Sequence, residues 1–276
     1  MTLNDNELQS ILKDIRRECG SPYLKIKSEE VERLALACGD NSERLRRCIK
    51  RRMCGDPIEY ILGLEKFRGY TFFVDRRTYI TDSETTFLVD AVIAYAKTLL
   101  SSLSRPVTIL EMGVGCGSLA ISVKKVLQET VLVRGIDIDS AALELAEKNR
   151  AFHQVDLELI ESDLLRSYPY STAPDILFGD PPWGDETSIY DPDRPWEHYQ
   201  AMPPMAVSPV GGVIQIHEQI LKSVQEKQWF SHIFLNTGTL DETYLGQMGV
   251  WVEQYEILRP KPAISIFHGW GWKASR

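Results

Sequence analysis

A glycine-rich turn after an apolar segment is the first feature of the sequence that could do chemistry. Its glycines are Gly113, Gly115 and Gly117, and Glu111 stands just before them. Glycine lets the backbone turn sharply and lets a ligand lie against it. Dinucleotide sites have the spacing G-x-G-x-x-G, but here Ser118 occupies the position of the last glycine. A carboxylate beside the turn fits a cationic ligand, so we expect S-adenosylmethionine (SAM), which carries an ammonium and a sulfonium. A tight strand–helix turn without a ligand is the alternative.

Two more acidic residues end the next two apolar segments. Asp137 comes 24 residues after Gly113, where a carboxylate can accept both hydroxyls of a ribose. Asp163 follows the next segment, where it could accept from an adenine amino group or be a loop acid without a ligand. Ile138 and Leu164 directly follow these two acids and are included in the expected cofactor site. Acids at successive strand ends favour SAM over a simple turn.

The most specific motif is Asp180-Pro181-Pro182-Trp183, which follows an apolar strand. Two successive prolines fix the backbone and lack N–H groups, so the nearby carbonyls stay free to accept from a substrate nitrogen. Asp180 adds an accepting side chain next to the cofactor, and Trp183 adds a flat wall for a planar group. Such a site can turn a nitrogen lone pair toward a methyl donor, and in-line methyl transfer needs mainly orientation and electrostatics. We therefore predict that these four residues are the catalytic residues of an N-methyltransferase.

These motifs lie in a chain that alternates strands and helices from residue 107 onward. Strands are predicted near 107–112, 131–137, 157–161, 174–179, 231–236, 249–257 and 262–268, and helices at 117–128, 140–150 and 212–227. The alternation predicts an α/β fold with a mostly parallel sheet, covered by helices on both faces. The last two strands should pair antiparallel at one edge. The motifs then meet at the carboxyl ends of the strands, where open α/β sheets bind ligands.

The first part of the chain predicts helices instead. One begins at Asn4–Glu7, a second at Ser28 and a third at Asn41. An aromatic and β-branched stretch over 67–80 predicts a β-hairpin with its turn at Asp75–Arg77. We therefore divide the chain into a helical domain over 1–60, a linking β-hairpin over 61–82 and a SAM-dependent domain over 83–276.

The third helix carries a run of basic residues, namely Arg44, Arg46, Arg47, Lys50, Arg51 and Arg52. A solvated helix face is the favoured interpretation, and contact with RNA, a ribosome or an acidic partner is the alternative. Residues 1–56 hold 12 Lys and Arg against 10 Asp and Glu, a balance of +2, so the net charge of −8 leaves −10 on the rest. Phosphate neutralisation needs clustered Lys and Arg, so nucleic acid is not the expected partner.

The composition is that of an ordinary globular protein, with 43% apolar and 25% charged residues. No segment approaches the ~20 apolar residues that cross a bilayer, and the polar start of the sequence predicts no signal peptide. The five cysteines form no C-x-x-C pair and the five histidines form no ligand-spaced cluster. We therefore expect no disulfide, no metal and no membrane contact, and the expected location is the cytoplasm.

With these motifs in place, the chain resembles the HemK-type protein-(glutamine) methyltransferases, which methylate a glutamine side-chain amide in peptide chain release factors. The resemblance runs from about Leu45 to His268. It rests on Gly55 to Gly63, Phe67 to Ile80, the glycine-rich turn, Asp137, Asp163, Asp180 to Trp183, Pro204 to Val207 and Gly211-Gly212. It implies a small helical domain joined to a seven-stranded, Rossmann-like domain. It also implies SAM as methyl donor and S-adenosylhomocysteine as product.

Three segments depart from the motifs of that family. The family's Asn-Pro-Pro-Tyr is Asp-Pro-Pro-Trp here, beginning at Asp180. Its Pro-Arg-Pro-Glu-Thr-Glu becomes Thr-Asp-Ser-Glu-Thr-Thr over 81–86, and its Glu-His-Gly becomes Asn-Thr-Gly from Asn236. An asparagine amide both donates and accepts, whereas an ionised aspartate only accepts. Asp180 therefore suits an amine, a guanidinium or an exocyclic amino group better than a glutamine amide.

The segment after the tetrapeptide, over 184–200, is acidic and aromatic, and its position predicts a cover over the substrate. We expect Trp183, Tyr190 and Trp196 to bind substrate, together with Glu84 of the retained Glu-Thr pair. An acidic surface loop without this role is the alternative. An acidic cover favours a cationic substrate.

The sequence thus predicts a SAM-dependent N-methyltransferase that acts on a cationic amino or guanidino nitrogen of a small molecule or of a peptide side chain. One alternative is methylation of the glutamine amide of release factors. A second alternative is methylation of adenine in nucleic acid, because the Asp-Pro-Pro-Trp form also resembles adenine methyltransferases. A SAM-binding protein without activity is disfavoured, because the tetrapeptide that begins at Asp180 is intact.

Overall fold

The computed structural model describes residues 10–15, 17, 26–182, 196–208, 211–229, 231–262 and 264–273. The predicted helix start at Asn4–Glu7 lies outside these residues. Residues 10–15 are helical, and Leu12 and Ile15 within them are buried. Both side chains pack into the core of the helices that follow.

Those helices are α1 (Ser28–Cys38), α2 (Ser42–Met53) and α3 (Ile58–Leu62). Asn41 caps α2, because its side-chain oxygen accepts a hydrogen bond of 2.8 Å from the Arg44 N–H. Leu34, Leu45 and Ile49 are buried where α1 meets α2. These apolar side chains form a cluster of their own, and the division of the chain at residue 60 stays a prediction.

Arginines of the basic run on α2 form ion pairs inside the chain. Arg52 is buried, and its Nε lies 2.7 Å from Oε1 of Glu30. Arg51 Nε lies 2.8 Å from Oδ2 of Asp56, just beyond the helix. Exposed ion pairs contribute only ~0–1 kcal/mol to the free energy of unfolding. Each pair nevertheless engages an arginine that would otherwise be available to bind a phosphate. The contacts therefore favour a structural helix face.

The hairpin turns earlier than predicted. β1 (Leu64–Phe67) pairs antiparallel with β2 (Tyr70–Phe73), so its turn is Arg68–Gly69. The two turn residues have φ of 51° and 81°, and a two-residue turn of type I′ requires positive φ at both positions. A turn does lie at Asp75–Arg77, where the Thr78 N–H donates to the Asp75 carbonyl at 3.1 Å, but it follows β2 and does not join the two strands. Asp75 instead shapes the loop after β2, where its Oδ1 accepts from the Arg77 N–H at 3.1 Å.

Seven strands form the main sheet: β3 (Val107–Met112), β4 (Val131–Asp137), β5 (Leu157–Glu161), β6 (Ile176–Gly179), β7 (His232–Gly238), β8 (Val252–Lys261) and β9 (Ile264–Trp272). Their order is β5-β4-β3-β6-β7-β9-β8. Neighbouring strands from β5 to β7 are parallel, and β9 is antiparallel to both β7 and β8. The predicted α/β sheet with an antiparallel edge is therefore confirmed.

The helices that follow α3 in the described part of the chain are α4 (Thr86–Leu100), α5 (Ser118–Leu127), α6 (Ser140–His153), α7 (Trp196–Gln200), α8 (Pro204–Val207), α9 (Val213–Glu226) and α10 (Glu242–Met248). On one face of the sheet α4 and α5 share a core with Ile109 and Phe178. On the other face α9 and α10 share a core with Leu110 and Leu177. Successive side chains of a strand point to opposite faces, so strands covered on both sides are apolar throughout. None of the helices in the described part of the chain has the length and apolar character needed to span a membrane.

The strand order reverses between β3 and β6. The chain runs from β3 outward to β5 on one side, and from β6 outward through β7 on the other. Ligands of open α/β sheets bind at such a point, beyond the carboxyl ends of the strands. Glu111, Asp137 and Asp180 lie at or just after the carboxyl ends of β3, β4 and β6.

Candidate active site

A cavity of about 700 Å³ lies at the carboxyl ends of β3, β4 and β6. The predicted cofactor residues that line it are Glu111, Gly113, Gly115, Asp137, Ile138, Asp163, Leu164 and Asp180. Gly117 lies instead just before α5, where its φ is 86° and a Cβ would press against Ile121 and Ala146. Four acids that are far apart in the sequence therefore meet at one cavity.

The glycine-rich turn is fastened to the neighbouring strand. The N–H groups of Gly113 and Val114 each donate to the Ile136 carbonyl at 2.9 Å, and the Gly115 N–H donates to Oδ2 of Asp137 at 2.8 Å. Gly113 and Gly115 have φ of 74° and 53°, which a residue with a Cβ adopts only with strain. Open space lies beside both α carbons. The glycines are therefore needed for the backbone conformation, and the turn leaves that side of the cavity clear.

Glu111 is buried below the turn, with 1% of its surface exposed. Its Oε2 accepts a hydrogen bond of 2.8 Å from the Ala120 N–H near the start of α5. Burial raises the pKa of Glu111 well above its usual range, and the charges of Asp137 and Asp180 raise it further. A positive charge brought into the cavity would favour the ionised form of this carboxyl.

Asp137 ends β4 with its carboxylate held by two backbone donors. Oδ2 accepts from the Gly115 N–H at 2.8 Å, and Oδ1 accepts from the Asp139 N–H at 3.0 Å. Burial raises the pKa of Asp137, and these hydrogen bonds oppose that rise. A carboxylate offers about four lone-pair sites, so both oxygens keep capacity for further donors. The arrangement suits the binding of two neighbouring hydroxyls.

Asp163, Ile138 and Leu164 form the outer part of the predicted cofactor site. Asp163 is half-exposed and forms an ion pair with Arg166. Ile138 is 52% exposed, and its side chain and that of Leu164 give the cavity an apolar wall near Asp163. An apolar wall beside a hydrogen-bond acceptor suits a planar base that carries an amino group.

Asp180 receives one hydrogen bond on each oxygen. Oδ2 accepts from Oγ1 of Thr85 at 2.7 Å, and Oδ1 accepts from Nδ2 of Asn236 at 2.7 Å. Burial raises the pKa of Asp180 to about 6, the two hydrogen bonds oppose this rise, and the negative charge of Asp82 adds to it. The sequence singled out neither Thr85 nor Asn236 as a site residue. The available signal was their place in two motifs that depart from the family.

Only some of the predicted catalytic and substrate-binding residues line the cavity. Pro181 and Pro182 line the cavity next to Asp180. Trp183 and Tyr190 lie outside the described residues, and Trp196 is described only as the first residue of α7. Glu84 is exposed, and its Oε1 lies 3.8 Å from Nζ of Lys261. The cavity is lined instead by the nearby Asp82.

Residues distant in sequence from the glycine-rich turn also line the cavity. They are Tyr79, Asp82, Pro203, Pro204 and Met205. The Tyr79 hydroxyl donates to Oδ2 of Asp82 at 2.9 Å, and burial raises the pKa of Tyr79 well above its usual range. The charge of Asp82 acts on Asp180, so these residues belong to the surroundings of that carboxylate.

Glu65 of the hairpin connects two walls of the cavity. Its carboxylate accepts from the N–H and the hydroxyl of Thr81 at 2.9 and 2.8 Å, and Cys116 Sγ lies 3.4 Å from Oε1. The Thr81 hydroxyl also lies 2.7 Å from Oγ of Ser118. Burial raises the pKa of Glu65 to about 7. The hairpin is therefore tied to the glycine-rich turn through a buried, polar network.

The chain is similar in sequence to known methyltransferases. The family model named Methyltransferase small domain matches residues 80–190. The release factor glutamine methyltransferase of Flavobacterium psychrophilum is 36% identical over 127 residues, which are 46% of this chain and 44% of that protein. The enzyme of the same name from Lactococcus lactis is 31% identical over 171 residues, 62% of this chain and 59% of that protein. The predicted resemblance to the HemK-type family is confirmed, and the chain spans about half the length of these relatives.

A solved structure supports the fold. The T. thermophilus 16S rRNA N2 G1207 methyltransferase, determined in complex with AdoMet and guanosine, has a TM-score of 0.53 at 14% identity and covers 75% of this chain and 49% of its own. A likeness at this identity concerns the fold, and the predicted Rossmann-like methyltransferase fold is confirmed. The sequence relatives favour the glutamine-amide alternative over the main prediction of a cationic acceptor.

Proposed function

We propose that this chain is a SAM-dependent N-methyltransferase whose acceptor is the glutamine side-chain amide of a peptide chain release factor. The observation that carries the proposal is the meeting of Glu111, Asp137 and Asp180 around one cavity beside the glycine-rich turn. The release factor glutamine methyltransferases to which the chain is similar support the choice of acceptor.

The charges in the cavity fit SAM. Burial raises the pKa of Glu111, Asp137 and Asp180, because their charged forms lose hydration. SAM carries a sulfonium and an ammonium, and either cation would favour the ionised carboxylates. A cavity of about 700 Å³ also has the size typical of cofactor sites.

Each part of SAM has a set of matching residues. Glu111 and the N–H groups of the turn would hold the amino-acid end. Asp137 would accept from the ribose hydroxyls through the free lone pairs of its two oxygens. Asp163 would accept from the adenine amino group, with Ile138 and Leu164 against the ring.

Asp180 acts on the acceptor nitrogen. When bound, SAM supplies the methyl group, whose carbon–sulfur bond breaks as the carbon–nitrogen bond forms, and S-adenosylhomocysteine remains. Asp180 accepts a hydrogen bond from the acceptor N–H and so turns the nitrogen lone pair toward the methyl carbon. The carboxylate stabilises the positive charge that develops on nitrogen and takes the proton that the nitrogen releases. A carboxyl with a pKa of about 6 suits both tasks near neutral pH.

An amino or guanidino nitrogen is the second candidate acceptor. The observation that favours it is Asp82, which lines the same cavity as Asp180. The family has arginine at that position, so the charge on the acceptor side is reversed here. Two neighbouring carboxylates favour an acceptor that carries positive charge.

The test measures methyl transfer from SAM to purified, unmodified release factor by mass spectrometry. Free amino acids, guanidines and an oligonucleotide are tested in parallel. We expect one methyl group on a glutamine of the release factor. The Asp137→Ala variant should have lower activity at limiting SAM because it binds SAM more weakly, and Asp156→Ala, at an exposed acid, is the matched control. Transfer to a guanidine or amine alone would support the second candidate, and transfer to none of these acceptors would overturn the proposal.

A further inference from the structure

Asp180 and Asn236 occupy matching positions on neighbouring strands. β6 pairs parallel with β7, with Gly179 opposite Leu235, so Asp180 and Asn236 each follow one residue later. Nδ2 of Asn236 lies 2.7 Å from Oδ1 of Asp180. The orientation of the amide is fixed from the other side, because its Oδ1 accepts from the Gly238 N–H at 3.1 Å. If the amide were turned over, its oxygen would face the Asp180 carboxylate and its NH₂ group would face the Gly238 N–H, so both hydrogen bonds would be lost.

These two residues are also two of the three departures from the family motifs. The family has asparagine at the first position, in Asn-Pro-Pro-Tyr, and glutamate at the second, in Glu-His-Gly. Here the first is Asp180 and the second is Asn236. The first change adds a negative charge at position 180, and the second removes one at position 236. The pair therefore still holds one carboxylate and one amide, but each stands on the other strand.

We infer that Asp180 and Asn236 form one acceptor-positioning unit, in which the carboxylate and the amide have exchanged strands relative to the family. The inference rests on the proposed function, because it assumes a nitrogen acceptor beside Asp180. Asp180 lines the cavity, whereas Asn236 is 7% exposed and reaches the acceptor through Asp180. Asn236 is therefore a positioning residue.

The surroundings of Asp180 explain why such a partner is needed. Asp82 carries like charge close to Asp180, and Glu111 and the Tyr79 hydroxyl line the same cavity. Burial and the charge of Asp82 favour the protonated carboxyl, which could no longer accept on both oxygens. Thr85 and Asn236 oppose this by donating to one oxygen each. The Asn236 amide thus holds the carboxylate both in place and in its accepting form.

An isosteric exchange tests the unit. Asn236→Asp puts two carboxylates within hydrogen-bond distance, and the two must then share a proton. We expect this variant to lower kcat by about 30-fold or more, because the charged partner of the acceptor loses a donor and gains a competing carboxylate. Addition of Asp180→Asn restores one carboxylate and one amide, now in the family's places. We expect the double variant to recover to within about tenfold of wild type, although Asp180→Asn alone lowers kcat.

The decisive result is whether Asp180→Asn raises or lowers kcat in each of the two backgrounds. Asp180→Asn should lower kcat in the wild-type background and raise it in the Asn236→Asp background, because residues that act as a unit are not additive. An equal loss in both backgrounds would overturn the inference. Circular dichroism and thermal unfolding, measured on all four proteins, show that each variant is folded.

A second measurement does not depend on the acceptor. The carboxyl carbon of Asp180, followed by ¹³C NMR in the full-length protein, should titrate at a higher pH in Asn236→Ala than in wild type. An unchanged titration would overturn the inference even where the wild-type protein is active. If the shift is observed but the release factor gains no methyl group, the positioning unit stands and the proposed acceptor is wrong.

Discussion

Oγ1 of Thr85 donates a hydrogen bond of 2.7 Å to Oδ2 of Asp180, across 95 residues of sequence. This contact joins the short 3₁₀ turn Ser83–Thr85, which leads into α4, to the end of β6. The carboxylate at the centre of the cavity is therefore held from two sides, by Thr85 on one oxygen and by Asn236 on the other.

Replacement of Thr85 should change the pH dependence of the reaction. Thr85→Val removes a donor to the ionised form, so the pKa of Asp180 should rise above about 6. More of the carboxyl is then protonated between pH 6 and 7. We expect kcat/KM to fall most at low pH and to recover as the pH rises. Thr85→Ser keeps the hydroxyl and should keep the wild-type profile; an unshifted profile in Thr85→Val would contradict the role of this contact.

Asp137 should contribute strongly to the binding of SAM. Asp137→Ala removes two accepting oxygens next to the glycine-rich turn, and hydrogen bonds to a charged group are worth about 1.5–3 kcal/mol. We expect the binding free energy measured by calorimetry to weaken by about that amount. The exposed Asp156→Ala variant should bind as wild type does. Equal affinity of Asp137→Ala and wild type would rule out the proposed ribose contact.

Binding of SAM should release protons. Burial raises the pKa of Glu111 and Asp137, so these carboxyls keep their protons to a higher pH than ordinary carboxyls do. A bound cation favours their charged forms and expels the protons. The binding enthalpy, measured over a series of pH values, should therefore vary with the ionisation enthalpy of the buffer. Glu111→Gln should reduce the variation, and a binding enthalpy that is the same in all buffers would exclude this linkage.

Glu65 should make stability fall as the pH rises. Burial raises its pKa from 4.5 to about 7 in the folded protein, so the folded state binds more protons than the unfolded state between these values. The free energy of unfolding then decreases with pH across this window, by up to about 3 kcal/mol. Glu65→Gln stays neutral and should lack this decrease. Urea unfolding from pH 4.5 to 8 measures it, with the exposed Glu226→Gln as control; parallel curves for wild type and Glu65→Gln would contradict the prediction.

Much of the fold followed from local pattern. The strand at Val107–Met112, the glycine-rich turn and the helix from Ser118 were all predicted from neighbouring residues, because strand periodicity and positive φ are properties of a few consecutive residues. The hairpin turn was placed wrongly. The aromatic stretch from Phe67 predicted one continuous strand through Arg68–Gly69. In the structure these two residues form the turn, which Gly69 permits through its positive φ.

The cofactor acids were also predictable, since parallel strands bring their carboxyl ends to one edge. Asp137 and Asp180 follow apolar strands, and this alone placed them together at the cavity. The partners of these acids were not predictable. Thr85, Asn236 and Glu65 reach the site through contacts that span many residues, and each is an ordinary polar residue by local pattern.

The sequence by itself determined the sheet, the glycine-rich turn that borders the cavity and the types of the acidic side chains. The tertiary structure decided which donors those acids receive and how far burial shifts their pKa. The physical reason is the distance along the sequence between the groups that interact. Backbone conformation depends on neighbours in the chain, whereas desolvation and side-chain hydrogen bonds depend on which segments pack together. The exchange of carboxylate and amide between Asp180 and Asn236 became visible only when β6 and β7 lay side by side.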